Sequence, residues 1–405
     1  MSKELNPQRA TRRVSGSRQT TVLLAKGDLS QLVAALQADY DVVAPICEDE
    51  AIVLGKIASP GDIAVGYRDH QRPGHYRLEK ADDGRYFGYN NGHDSPKKFL
   101  HPARLDLFSG ELHADGSFTL AEEHGPPRKL AFFGIRPCDA FAVLVLDKTF
   151  LQNPNVDQPY RRRREGSFLA VLNCTTPGDT CFCASMGTGP RVETGYDLRL
   201  TELSGGFLIE AGTPEGAAIL GRLPARPASG AETAEADWLL AEAIPRMGRT
   251  LNTHNLPGIL RGALEHPHWD FMKTWCIGCT NCTIVCPTCF CNDTHDRIDL
   301  NLRQVARERV WDSCFSWQFA EVHGGNARPE LKHRYRHWVT HKLSYWVEQY
   351  GVFGCVGCGR CLTWCPVGID ITEVASVIRG ERVKGRADDR PYDRRDRQRG
   401  AQAPG

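Results

Sequence analysis

The chain has 405 residues, a formal net charge of +1, and 41% hydrophobic and 24% charged residues. That length exceeds one ordinary domain and the balance is that of a globular protein, while the near-zero charge gives no general footing for nucleic acid. Residues 1–20 are polar and arginine-rich, and no apolar run approaches the ~18 residues of a membrane span.

A disordered leader over 1–20 and a cytoplasmic protein without a membrane span are therefore expected, and 16 cysteines in a reducing compartment point to metal ahead of bridges. Thr21 to Ala25 reads as a strand, followed by Asp28 as an N-cap and by Leu29, Leu32, Val33 and Leu36 at helical spacing. Val42 to Ala44 and Ala51 to Leu54 read as further strands. Residues 66–128 are rich in Gly, Pro, His and Asp and carry no firm assignment. Leu130 to Ile135 is a buried-strand pattern, with a helix from Asp139 to about Phe150 and strands at Phe168 to Leu172 and Phe207 to Glu210. This alternation predicts an α/β domain over 21–222.

Residues 222–236, rich in Pro, Ala and Gly, read as a linker. With the helix that follows they make a 223–265 connection whose apolar side is Trp238, Leu239, Leu240, Ile244 and Met247. The region 266–378 is expected to be an all-α helical ferredoxin-like domain. In it, Ile298, Leu302 and Val305 recur at helical spacing, and Tyr335, Trp338, Val339, Leu343, Trp346, Val347 and Tyr350 form an aromatic stripe. The stripe reads as core packing, with a subunit interface as the alternative. Residues 379–405 mix Arg with Asp and Gly and read as a disordered tail; the basic run Arg161 to Arg164 reads as a solvated turn or a partner contact.

The chemistry is carried by a duplicated pattern, C-x2-C-x2-C-x3-C-P. It occurs at Cys276, Cys279, Cys282 and Cys286-Pro287, and again at Cys355, Cys358, Cys361 and Cys365-Pro366. Three thiolates on one tight turn can hold three irons of a cubane, and in two-cluster ferredoxins the fourth cysteine of each run serves the other cluster. Two [4Fe-4S] clusters follow: Cys276, Cys279, Cys282 and Cys365 on one, and Cys355, Cys358, Cys361 and Cys286 on the other. Structural zinc uses two C-x2-C pairs and has no need of a third cysteine or a trailing proline.

A second set is Cys138 and Cys174, each just after a strand, with Cys181 and Cys183 close behind. If those strands are parallel neighbours, the four thiols meet at the edge where α/β domains place ligands. A third [4Fe-4S] cluster, zinc or another metal, and unliganded buried thiols all fit this pattern. A C-x-C pair can bind together only where the chain is irregular, because a regular strand sends its side chains to opposite faces. Arg136 beside this set is either a charge that raises a cluster's potential or a surface ion-pair partner. Cys289-Phe-Cys291 echoes Cys181-Phe-Cys183 and with Cys314 could supply a further site, but the three lack an obvious fourth ligand and read better as buried thiols near the clusters, with Cys47 also left over. Neither a G-x-G-x-x-G turn nor a P-loop is present, so no organic cofactor site is visible and no catalytic acid, base or nucleophile is expected.

The strings CIGCTNCTIVCPTCFC (276–291), WDSCF (311–315), GGN (324–326), CVGCGRC (355–361) and CPVGID (365–370) resemble the beta subunit of cytoplasmic nickel-iron hydrogenases of the sulfhydrogenase type. GIRPCD (134–139), the Cys181-Cys183 pair and MGTGP (186–190) are similar to the same family, so the likeness spans most of residues 20–375. The resemblance implies a hetero-oligomer of this chain with a flavin subunit that handles NAD(P)H and with hydrogenase small and large subunits. Its role there is to relay electrons, with the eight C-terminal motif cysteines and Cys138, Cys174, Cys181 and Cys183 as cluster ligands. The electron-transfer subunit of anaerobic sulfite reductases is the related alternative, and a metal-stabilised binding module is the alternative from another class.

Overall fold

The computed structural model describes residues 21–122 and 129–381. The leader 1–20 and the tail beyond 381 lie outside the described residues.

An eight-stranded sheet organises the N-terminal half. Its order is Arg226–Pro227, Thr21–Ala25, Gly206–Ala211, Leu198–Glu202, Phe168–Leu172, Leu130–Ile135, Asp41–Glu48, Ala51–Lys56. The four strands from Leu198–Glu202 to Asp41–Glu48 run parallel, and the flanking pairs are antiparallel. Parallel strands must be covered on both faces, and the alternation of side chains does this. Val42, Ala44, Ala131, Phe133, Ala170 and Leu172 pack on one side with the helix Leu29–Gln37. Val43, Phe132, Ile135, Leu169 and Val171 pack on the other with the helix Pro137–Phe150. The mixed α/β expectation therefore stands, with two strands of the sheet, Leu198–Glu202 and Arg226–Pro227, not foreseen.

The unassigned stretch 66–128 supplies two antiparallel hairpins, Tyr67–Arg72 with His75–Lys80 and Arg104–Leu112 with Phe118–Glu122. The second of these joins a four-stranded sheet with Asn292–Ile298 and Gln304–Trp311, which lie between the two cysteine runs. The C-terminal region is thus not all-α. Ile298 pairs with Val305 across a hairpin, and Leu302, in its turn, is 68% exposed. The helical spacing of those three residues was coincidental, because a partner strand far away in sequence sets the local structure. The second stripe is helical, through Leu331–Thr340, a π-helical segment His341–Tyr345 and Trp346–Tyr350. Tyr335, Trp338, Val339, Leu343 and Trp346 are all buried, in the core-packing role.

Other local expectations shift for identifiable reasons. The segment 222–236 is not a bare linker: Arg226–Pro227 extends the main sheet, and Ser229 with Glu232 forms a capping box that starts the helix Gly230–Ala243. Of that helix's expected apolar side, Leu240 and Met247 are buried, whereas Trp238 is 61% and Ile244 50% exposed. Arg161 to Arg164 fall in the helix Gln158–Arg164, capped by Asp157, and Arg164 pairs with Asp147.

Candidate iron-sulfur centres

Each cysteine run is a loop leading into one helical turn, and the two loops share a backbone conformation. Gly278 and Gly357 both have φ 67°, and Thr280 and Gly359 follow at 68° and 76°. The Gly278 N–H donates to Cys276 Sγ at 3.4 Å, and the Gly357 N–H donates to Cys355 Sγ at the same distance. Left-handed residues at these places curl the chain so that its side chains and N–H groups face inward. The short helices Asn281–Ile284 and Arg360–Thr363 pack together. Asn281 Nδ2 donates to the Trp364 carbonyl at 3.2 Å, which ties one run to the end of the other.

This packing brings thiols of the two runs together. A cavity is lined by Cys276, Cys279 and Cys282 of the first run and by Cys365 of the second, with Cys361 adjacent and Phe315, Tyr335 and Trp338 closing its apolar wall. The donor set fits a cubane: three thiols come from one loop and the fourth from the other run. Burial pushes the thiols of Cys276, Cys282 and Cys365 up, so a cationic metal core is what would hold them as thiolates. All sixteen cysteines are free thiols. Among the described residues no group of three or more His, Cys, Asp or Glu side chains closes on a single-ion site.

The other crossed set is more enclosed. Cys286 lies within electrostatic reach of Cys355, Cys358 and Cys361. Burial pushes Cys355 up to about 12 and Cys361 well above the usual thiol value. Thr288 Oγ1 is 3.2 Å from Cys286 Sγ and 2.7 Å from the Gly354 carbonyl, joining the two ends of this set.

Cys138, Cys174, Cys181 and Cys183 lie near one another at one edge of the main sheet. Leu130–Ile135 and Phe168–Leu172 are parallel neighbours, so Cys138 at the start of a helix and Cys174 after its strand emerge at one edge. Cys183 opens the short helix Cys183–Met186, and Phe182 before it has φ −147° and ψ 27°, which breaks the C-x-C pair out of strand alternation. Burial raises all four thiols, with Cys181 and Cys174 both acting on Cys183. The second run seats directly on this set. Phe182 N–H donates to the Gly357 carbonyl at 2.8 Å, Thr188 Oγ1 to the Val356 carbonyl at 2.6 Å, and Thr180 meets Thr363 at 2.8 Å.

Charged groups missed by sequence reasoning complete the site. Arg360 and Asp139 form an ion pair at 2.7 Å with side chains 5% and 0% exposed, next to Cys138 and Cys358. Lys342 Nζ donates to Thr288 Oγ1 at 3.0 Å and to the Gly354 carbonyl at 3.1 Å. Burial opposes its charge, but Cys286, Cys289 and Cys355 outweigh burial and raise it well above the usual lysine value. Lys342 follows Trp338 by four residues on the buried face of the stripe, the one sequence signal that could have marked it. Lys97 is also buried, its Nζ donating to the Ile284 carbonyl at 3.0 Å and lying 4.0 Å from the Trp311 ring centroid. Arg136 is not a surface ion-pair partner: it is buried, and its guanidinium donates to the carbonyls of Phe87 and Tyr89.

Cys289 hydrogen-bonds with Cys286, and Cys291, beside Cys289, hydrogen-bonds with Cys314. A hydrogen bond from the Cys314 thiol brings Cys291 down to about 7 and leaves Cys314 raised. Cys47 lies apart, exposed in the strand Asp41–Glu48. Among the described residues no helix is long and apolar enough to cross a membrane.

A 4Fe-4S dicluster domain model matches residues 275–369. The chain is 33% identical over 318 residues to sulfhydrogenase 2 subunit beta of Pyrococcus furiosus, which covers 75% of this chain and 89% of that protein. No solved structure matches the chain.

Proposed function

The chain belongs to the sulfhydrogenase beta-subunit family, and from that premise we propose that it is a cytoplasmic electron-transfer subunit relaying electrons between a flavin subunit handling NAD(P)H and a nickel-iron hydrogenase module. The observation that carries this reading is the cavity shared by Cys276, Cys279, Cys282 and Cys365, because a crossed ligand set is the arrangement of two-cluster ferredoxins. In this reading Cys355, Cys358, Cys361 and Cys286 hold a second [4Fe-4S] cluster, and Cys138, Cys174, Cys181 and Cys183 a third. An iron-sulfur cluster bound at each set supplies a one-electron carrier. The chain's own residues hold the irons, keep water from the apolar wall at Phe315, Tyr335 and Trp338, and pack the three sets into one body.

Iron and acid-labile sulfide analysis of anaerobically purified protein tests the proposal. About twelve irons per chain are expected for three cubanes, and zinc without sulfide would overturn it. In the assembled complex, Cys279→Ala is expected to stop hydrogen-linked NAD(P) turnover while artificial-dye reactions at the partner subunits persist. Normal coupling in that variant would refute the relay. Co-purification with a sulfite-reducing subunit in place of a hydrogenase subunit would move the same wire to the sulfite reductase reading.

A further inference from the structure

Three buried cations, Arg360, Lys342 and Lys97, stand beside the more enclosed, inner cysteine set at Cys286, Cys355, Cys358 and Cys361, and they are placed differently. Lys97 turns its ammonium to the Ile284 carbonyl and the Trp311 ring. Arg360 is held against Asp139, so that pair adds little net charge to its surroundings. The Lys342 ammonium instead lies between Thr288, two residues after Cys286, and Gly354, the residue before Cys355. These contacts use two of its three N–H donors. They fix the ammonium at the junction of the two chain segments that supply the inner ligands, facing the thiols of Cys286, Cys289 and Cys355. Its backbone belongs to the π-helical segment His341–Tyr345, a local irregularity of the kind found at functional positions. A buried ammonium without a counter-charge is costly, so its place there makes sense opposite an anionic centre.

We infer that Lys342 is a positioning residue for electron flow, whose fixed positive charge raises the reduction potential of the centre held by Cys355, Cys358, Cys361 and Cys286. Adding one electron to that centre adds one negative charge, and a cation at short range in a poorly screened interior favours the reduced form. The outer set at Cys276, Cys279, Cys282 and Cys365 lies in a cavity whose lining contains no lysine or arginine. The inner centre is therefore the more readily reduced of the crossed pair. This inference rests on the ligand assignment proposed above.

The test is an EPR-monitored titration of the full chain with dithionite as reductant, on wild type, Lys342→Gln, Lys342→Met and Lys342→Arg. Gln retains hydrogen-bonding capacity without charge, Met retains bulk, and Arg retains charge. With iron content unchanged, one midpoint is expected to move to lower potential in the Gln and Met variants and to stay near wild type in the Arg variant. Unchanged midpoints in Gln and Met at full iron would overturn the role of Lys342 while leaving the ligand assignment intact. If Gln and Met lose iron, retention by Arg supports the charge requirement, and loss in Arg as well overturns it. Cys358→Ala serves as the control for the assignment itself: it must lose iron and the shifting signal together.

Discussion

The two cysteine runs have the same backbone and opposite surroundings. Ile277 in the outer loop is 60% exposed, while its counterpart Val356 is 2% exposed. Cys279 is exposed, whereas Cys358 is half-buried against the N-terminal cysteine set. A Cβ on Gly359 would lie 2.5 Å from the Thr180 carbonyl oxygen, and one on Gly357 2.7 Å from Cys183 N. Thr280, at the place equivalent to Gly359, carries its side chain in the same left-handed conformation. One repeated loop geometry is thus enough to present three thiols, and what packs against it decides whether it is an end or a middle of the proposed relay.

The largest expected effect tests the crossing itself. Cys279→Ala and Cys365→Ala lie in different runs but should each remove the same outer centre, about four irons per chain. Cys358→Ala and Cys286→Ala should form the other matched pair. Iron counts with EPR of the remaining signals check this, and a Cys365→Ala variant that lost the inner signal would break the crossed scheme.

Next in size is the ion pair that exists only on the inner side. Asp139 lies in the first turn of the helix carrying Cys138, Arg360 begins the helix carrying Cys361, and the pair is fully enclosed. Removing one partner leaves the other charge buried, so Asp139→Ala should cost about 3–5 kcal/mol, read from the denaturant midpoint of the full chain. Replacing the outer loop's Asn281 with Ala, whose side chain is exposed, should cost no more than about 1 kcal/mol. Comparable losses at the two places would remove the distinction between inner and outer loops.

Gly359→Ala follows. It combines an unfavourable left-handed φ with a collision against backbone, and each contributes about 1–3 kcal/mol. Thermal unfolding of the variant should show the loss, together with weakened retention of iron by the inner set.

Much of this was legible in the sequence, but unevenly. The cysteine spacings are local and chemically restrictive, so they marked the crossed sets, and the buried runs Leu130 to Ile135 and Phe168 to Leu172 marked the edge where Cys138 and Cys174 emerge. What escaped was non-local. The strand Gln304–Trp311 is fixed by pairing with Arg104–Leu112, an element from the other half of the chain, and no local periodicity records that partner. The ion pair of Arg360 with Asp139 and the seat of Lys342 likewise depend on segments brought together by folding. Trp238 shows the reverse error: an apolar residue at helical spacing does not establish which way the helix faces.

The smallest effect is the reciprocal one, at Thr280. A β-branched residue at φ 68° is strained, at roughly 1–2 kcal/mol. Glycine there would relieve the strain but give the unfolded chain extra freedom, at about 0.5–1 kcal/mol. The strain is the larger quantity, so Thr280→Gly should stabilise the chain by about 0.5–1 kcal/mol, the opposite sign to Gly359→Ala. The side chain of Thr280 borders the cavity shared by the outer cysteines, which supplies a second readout. If wall packing at Thr280 matters more than backbone strain, the variant will instead unfold earlier and release outer-centre iron faster. The sign of one small stability difference, measured beside iron release, therefore separates a loop tolerated for its backbone from one retained for the wall it builds.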